Sequence, residues 1–248
     1  MITTAVILAA GLGSRLGDRT SSAPKAFLDF QGESLIIRSI KRMEKAGINK
    51  VFIGVGYLAD FFKDLENIFP DISFVFFENK QYSDTGSMYT FYCGRHVIDS
   101  DFLLFESDLL YEPYALTSLI EDTRADVVLA SGFTESKDEV WIEKDSNNLL
   151  TGMSKNRDNL SSIDGELVGI TKLSLAAARE LFVLVEPEFE ISPKMDYEAA
   201  LVLLGKTRNV FVKIVEDLAW CEIDNEEHLK RAEKIVFPKI LKNELIRN

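Results

Sequence analysis

The 248-residue sequence predicts an α/β fold: a mostly parallel, mixed sheet flanked by helices, with a small, partly antiparallel insertion in its second half. Three observations predict it. Apolar runs of strand length alternate with amphipathic helical patterns through residues 1–125. The first run opens directly into a glycine-rich loop, as a strand buried on both faces of a parallel sheet does at its carboxyl end. From residue 126 onward, short β-type runs are separated by polar turns, which marks antiparallel pairing.

Residues 4–9 are continuously apolar and end at glycine, so they predict a central strand. Residues 35–46 place Leu35, Ile36, Ile40 and Met43 at helical spacing, with Gly47 as the C-cap. Residues 50–55 predict the next strand, 57–69 an amphipathic helix, 73–77 a strand and 87–96 a helix beginning after Gly86. The run 101–105 predicts a strand that leads into Glu106-Ser107-Asp108. This order implies right-handed βαβ units, a Rossmann-like sheet, and ligands beyond the carboxyl ends of its strands. Strands are then expected at 126–133, 140–144, 149–155 and 166–173, followed by helices at 174–185 and 196–204. A strand pair, 210–215 with 219–223, leads to Asp224, and residues 225–246 are helical and charged. No linker or repeat divides the chain. It predicts one domain over 1–248, with a first half at about 1–125, a second half at about 126–224 and a helical tail at 225–248.

Composition excludes several classes of function. A net charge of −12 disfavours a broad nucleic-acid surface, which needs clustered Lys and Arg. No apolar run reaches the ~20 residues of a membrane span, and Met1-Ile-Thr-Thr lacks the basic region of a signal peptide, so a cytoplasmic location is expected. Cys93 and Cys221, His96 and His228 are isolated; buried thiols are expected, and zinc sites and histidine triads are not. Arg15, Arg19 and Lys25 form a local basic exception.

That exception lies in Leu8-Ala-Ala-Gly-Leu-Gly-Ser-Arg-Leu-Gly17, followed by Pro24-Lys25. A glycine loop after a buried strand presents successive backbone N–H groups, and such a concavity binds phosphate oxygens. The glycines at 11, 13 and 17 miss the dinucleotide fingerprint GxGxxG by one position, and the P-loop string GxxxxGK[ST] is absent. Strand, LAAGLGSRLG, a short gap and Pro-Lys instead resemble the N-terminal motif of the nucleotidyltransferase superfamily that activates sugars and alcohol phosphates with NTPs.

The resemblance implies roles for residues along most of the chain. Leu8, Ala10, Gly11, Leu12 and Gly13 would hold the nucleotide, Arg15 and Lys25 its phosphates, and Thr85-Gly86-Ser87 its base. Asp108 and Asp224, each just after a strand, would hold Mg²⁺, and Lys155 the acceptor's phosphoryl group. Arg15, Lys25 and Lys155 are thus the expected catalytic cations. The acceptor oxygen is already ionised near neutral pH, so no general base is expected, in keeping with the scarcity of histidine.

Sugar-specific members usually carry Glu-Lys-Pro where this chain has Ser154-Lys155-Asn156. Residues 78–89, 165–170 and 196–198 instead resemble cytidylyltransferases acting on phosphocholine and 2-aminoethylphosphonate. A cationic end group can be met by carboxylates or by aromatic faces. The candidates are Trp141, Tyr197, Glu166, Asp196, Glu198 and Asp138. Acids outnumber clustered aromatics, which favours 2-aminoethylphosphonate with CTP. Phosphocholine, a sugar-1-phosphate with UTP or dTTP, and a non-catalytic nucleotide-binding protein stay open. The charged tail fits a free terminus, a homodimer contact or a junction to a further domain.

Overall fold

The computed structural model describes residues 2–247. Strand β1 (Thr4–Ala9) is buried throughout, and its alternation feeds two cores. Ala5, Ile7 and Ala9 point into one; Val6 and Leu8 point into the other. Two-residue strands β2 (Asp29–Phe30) and β3 (Glu33–Ser34) form a small hairpin before helix α1 (Leu35–Lys45). Helix α1 buries Leu35, Ile36, Ile40 and Met43, the stripe expected from spacing. Strand β4 (Lys50–Val55) follows. Residues 57–69 are not one α-helix but a 3₁₀ stretch (Ala59–Asp64) and the short α2 (Leu65–Ile68). Leu58 at φ 51° precedes them, and the apolar stripe is served by Phe62 and Leu65 within one tight turn.

Strand β5 (Ser73–Glu78), helix α3 (Ser87–Cys93) and strand β6 (Phe102–Glu106) complete the expected series. The parallel order is β5-β4-β1-β6. Strand β7 (Leu109–Tyr111) and helix α4 (Tyr114–Ile120) were not anticipated from the sequence. The second half supplies β8 (Val127–Ser131), β9 (Trp141–Lys144), β10 (Leu150–Ser154) and β11 (Gly165–Leu173). Helices α5 (Leu175–Val185) and α6 (Tyr197–Gly205) then precede β12 (Phe211–Val215) and β13 (Trp220–Glu222). Helices α7 (Glu226–Arg231) and α8 (Phe237–Arg247) form the tail.

Among the described residues, nine strands share one sheet. Strand β11 runs antiparallel to β6 through residues 170–173, to β9 through residues 165–166 and to β8 on its other edge. The antiparallel β9–β10 hairpin is the expected insertion. The expected pairing of 210–215 with 219–223 does not occur. Strand β12 lies parallel to β8, and β13 lies antiparallel to β7 in a separate ribbon. Alternation identifies a strand, but partners come from the crossovers around it. Helices α1 and α4 cover one face of the sheet, and α3, α5 and α6 cover the other. Cys221 is buried and Cys93 half-buried, both as free thiols. No helix among the described residues is long and apolar enough to cross a membrane.

Candidate active site

A cavity of about 430 Å³ opens at the carboxyl ends of β1 and β6, the edge expected of a parallel sheet. One wall is the glycine-rich loop, residues 8–15. Gly13 has φ 62°, and a Cβ there would lie 2.8 Å from Lys25 Cβ, so only glycine lets Lys25 cross close behind the loop. Thr20 Oγ1 donates to Gly13 O at 2.9 Å and fixes the turn. Arg19, grouped with Arg15 and Lys25 in the sequence, faces outward instead and pairs with Glu226 at 2.5 Å.

A second wall joins residues far apart in sequence. A Cβ on Gly86 would fall 2.2 Å from Met195 O, so the segment before α3 lies directly against the one before α6. The Gly86 N–H donates to Pro193 O at 3.0 Å, and the Tyr197 N–H donates to Ser87 Oγ at 2.9 Å. Thr85, Gly86, Ser87, Asp196, Tyr197 and Glu198 thereby line one cavity.

The two predicted metal carboxylates meet because the β7–β13 ribbon brings their strand ends together: the Ile223 N–H donates to Asp108 O at 3.1 Å. Lys25 Nζ donates to both Asp108 Oδ2 and Asp224 Oδ1. Burial opposes the Lys25 charge, but the Asp108 and Asp224 carboxylates outweigh it and raise the ammonium above its usual range. Arg15 donates to Asp224 Oδ1 at 3.1 Å and to Asp138 Oδ2 at 2.9 Å, and Lys155 donates to Asp138 Oδ1 at 3.3 Å. Six groups, Asp108, Lys25, Asp224, Arg15, Asp138 and Lys155, therefore alternate in sign.

Behind this row lies an acidic cluster that the sequence reading missed in part. Glu106 and Glu222 line the cavity beside Glu198. Burial, with repulsion from Glu198 and Asp108, pushes Glu106 up to about 8; burial and Asp196 push Glu198 up to about 7. Tyr197 Oη donates to Glu106 Oε1 at 2.6 Å. Glu198 Oε2 is buried with no hydrogen-bond partner. A signal was available: each new glutamate sits two residues before a predicted metal aspartate at a strand end, and residues two apart share a strand face.

Two expected acceptor residues lie elsewhere. Trp141 and Glu166 are not among the cavity-lining residues. Trp141 is buried beneath Phe133, 5.7 Å between ring centroids, with the Arg157 guanidinium 4.1 Å from its ring. Glu166 is only 1% exposed and its Oε1 accepts the Thr134 N–H at 2.7 Å. Both sit on strand segments whose side chains serve the β9–β11 packing rather than the cavity. Asp138, considered for an amine, is engaged by Arg15 and Lys155.

The donor chemistry fits a hard cation. Asp108 Oδ1 is buried without a partner, and the Asp108 and Asp224 carboxylates converge on one cationic group. No group of three or more His, Cys, Asp or Glu with metal-site geometry occurs among the described residues.

Comparison with known proteins places this architecture. The family model of the MobA-like NTP transferase domain matches residues 5–159, which include the glycine loop, Thr85 to Ser87, Asp108 and Lys155. The chain is 28% identical to CTP:phosphoglutamine cytidylyltransferase of Campylobacter jejuni, over 89% of this chain and 95% of that protein. It is 27% identical to CMP-5′-(3-aminopropyl)phosphonate synthase of Streptomyces rubellomurinus over 92% of this chain, and spans 38% of that longer protein. A choline-phosphate cytidylyltransferase of Streptococcus pneumoniae is 31% identical over 60% of this chain and 68% of that one. The solved inositol-1-phosphate CTP transferase of T. maritima shares the fold, with TM-score 0.81, 21% identity and 96% of each chain covered. The chain belongs to the family of MobA-like NTP transferase domains and is a nucleotidyltransferase.

Proposed function

We propose that this nucleotidyltransferase transfers CMP from CTP to the phosphonate oxygen of a small amine, with 2-aminoethylphosphonate as the favoured acceptor, and releases pyrophosphate. The observation that carries the reading is that one cavity is lined by three cations, Arg15, Lys25 and Lys155, and also by acids outside their ion pairs, Asp196, Glu198, Glu106 and Glu222. An acceptor with an anion at one end and an ammonium at the other matches that lining. A primary ammonium needs oxygen acceptors, and the unpartnered Glu198 Oε2 offers one. The aromatic residues lining the cavity are Tyr82 and Tyr197, and Tyr197 is buried with its hydroxyl on Glu106, so a cage for a quaternary ammonium is poorly supplied. The relative that makes an aminopropylphosphonate conjugate supports the same acceptor class.

In this reaction the acceptor oxygen forms a bond to the α-phosphorus of CTP, the bond from that phosphorus to the bridging oxygen breaks, and pyrophosphate leaves with the electron pair. Residues 11–13 would cradle phosphate oxygens with backbone N–H groups, and Thr85 to Ser87 would face the base. Lys25, buried and fully charged, would stabilise charge developing on the α-phosphate. Arg15 would hold the triphosphate and Lys155 the attacking phosphonate, so two anions are brought together by fixed cations. Asp108 and Asp224 would hold Mg²⁺, which when bound adds positive charge against the triphosphate. With CTP as donor, the cytoplasm is the expected compartment.

The test is pyrophosphate release with Mg²⁺, crossing CTP and UTP against 2-aminoethylphosphonate, phosphocholine and glucose-1-phosphate. Release with CTP and 2-aminoethylphosphonate alone is expected. Turnover of phosphocholine only, or of the sugar only, would overturn the acceptor assignment, and silence throughout would overturn the activity.

A further inference from the structure

The cations assigned to substrate phosphate already hold an anion that belongs to the protein. Arg15 and Lys155 take one oxygen each of the Asp138 carboxylate, at 2.9 Å and 3.3 Å. Arg15 comes from the glycine loop and Lys155 from the end of the β9–β10 hairpin, so one side chain connects the two halves of the proposed site. Both cations line the cavity, whereas Asp138 does not. The bridge sits at the rim: Arg15 and Lys155 are more than half exposed and Asp138 is 23% exposed at its side chain.

The segment that carries Asp138 is tied down at its ends. At one end, the Thr134 N–H donates to Glu166 Oε1 and Thr134 O accepts from Arg231, both at 2.7 Å. At the other, Val140 O accepts the Leu167 N–H at 2.9 Å. Between them, Glu135 at φ 57° and Lys137 at φ 74° hold left-handed conformations that side chains disfavour. Within residues 135–139, the hydrogen bonds and ion pairs that reach other parts of the described chain are those of Asp138. Releasing Asp138 therefore breaks no sheet hydrogen bond, and the arc can relax.

We propose that Asp138 is an internal stand-in for substrate phosphate: it bridges Arg15 and Lys155 before substrates arrive, and a phosphate taken up at one cation frees the other for the second substrate. This rests on the assignment of Arg15 to the nucleotide and Lys155 to the acceptor. Its consequence is coupling between the two substrates without any shared contact, because each displaces the same carboxylate. Exposed ion pairs of this kind shift an equilibrium constant by up to about fivefold, which sets the size of the effect.

Calorimetric titration of the full chain with Mg²⁺ tests it. The ligands are inorganic pyrophosphate, the non-transferable α,β-methylene analogue of CTP, and 2-aminoethylphosphonate. In the unsubstituted protein, saturating 2-aminoethylphosphonate is expected to tighten the analogue by about two- to fivefold. Asp138→Asn is expected to bind pyrophosphate and the analogue each about two- to fivefold tighter and to lose the coupling, while Asp138→Glu restores both. Asp138→Ser, a second neutral variant, replaces Asp138→Asn if a melting curve shows the latter misfolded. Unchanged or weaker pyrophosphate binding in a folded neutral variant overturns the proposal. The pyrophosphate arm separates the two readings: a protein that binds pyrophosphate but neither the analogue nor any acceptor fails the cytidylyltransferase reading, while the effect of Asp138 is still read.

Discussion

Lys25→Met removes one charge and little volume, and the structure sets what should follow. The Lys25, Asp108 and Asp224 side chains are only 12%, 17% and 9% exposed, so the substitution leaves two poorly solvated carboxylates facing each other. Breaking a buried ion pair from one side costs about 3–5 kcal/mol; Arg15 still contacts Asp224, which places this case near about 3 kcal/mol. For a chain of this size that is a fall in Tm of roughly 6–12 °C. The pH dependence contributed by Asp224 should also weaken. In the native protein, burial raises this carboxyl but Lys25 and Arg15 more than compensate, so its contribution is present above the unfolded pKa and lost as pH falls through the lower folded one. Without Lys25, burial is opposed by Arg15 and His228 alone, so the Asp224 carboxyl rises and the destabilisation of the variant relative to the native chain should shrink as pH falls. Mg²⁺ should restore more Tm to the variant than to the native chain, because it supplies the missing charge. Turnover should drop by ~10²-fold or more, the loss seen when one preorganised charge donor is removed. Melting curves at pH 5.5 and 7.5, with and without Mg²⁺, and a pyrophosphate-release assay check this. An unchanged Tm together with normal turnover would refute the assignment.

Further outcomes follow from the same geometry. Glu198→Gln should raise KM for the amine acceptor several-fold while leaving KM for CTP near its native value; equal changes in both would move the ammonium out of this corner. Burial and neighbouring carboxylates hold Glu106 at about 8 and Glu198 at about 7, above the unfolded value of roughly 4.3, so the ligand-free protein should lose stability as pH rises from about 4.3 to 8. Rising stability over that window in melting curves would contradict the buried-acid assignment. Gly86→Ala should lower Tm and weaken binding of the CTP analogue, because its Cβ would sit 2.2 Å from Met195 O; a silent substitution would show that the wall at residues 85–88 is pliant.

The parallel half of the fold was legible because its strands are buried on both faces and its helices carry clean stripes. Residues 4–9 and 50–55 match β1 and β4 end for end. The loop after β1 was legible as a cavity wall because glycine spacing and a following lysine fix its local geometry at short range. Strand partners were not legible: β12 and β13 are near neighbours in sequence, yet each pairs with a strand reached through a long crossover. Trp141 and Glu166 illustrate a second limit. Their chemical types suit an ammonium, but which way a strand residue faces depends on register, and register here is set by the β9–β11 contact. Glu106 and Glu222 were passed over because buried acids carry no apolar period. Only their repeated offset from Asp108 and Asp224 could have marked them.

Strand β11 has a consequence for how this architecture can be retuned. Through residues 170–173 it is bonded to β6, which ends beside Asp108; through residues 165–166 it is bonded to β9, whose partner β10 ends beside Lys155. One continuous backbone thus acts as a ruler between Asp108 and Lys155, the ends proposed for the nucleotide and the acceptor. Its graduations are hydrogen bonds, so the span changes only in whole steps of register, each of which would turn every side chain over. Changes to the cavity wall are therefore left to its unruled margin, such as residues 196 and 198, where side chains can be exchanged without resetting the scale.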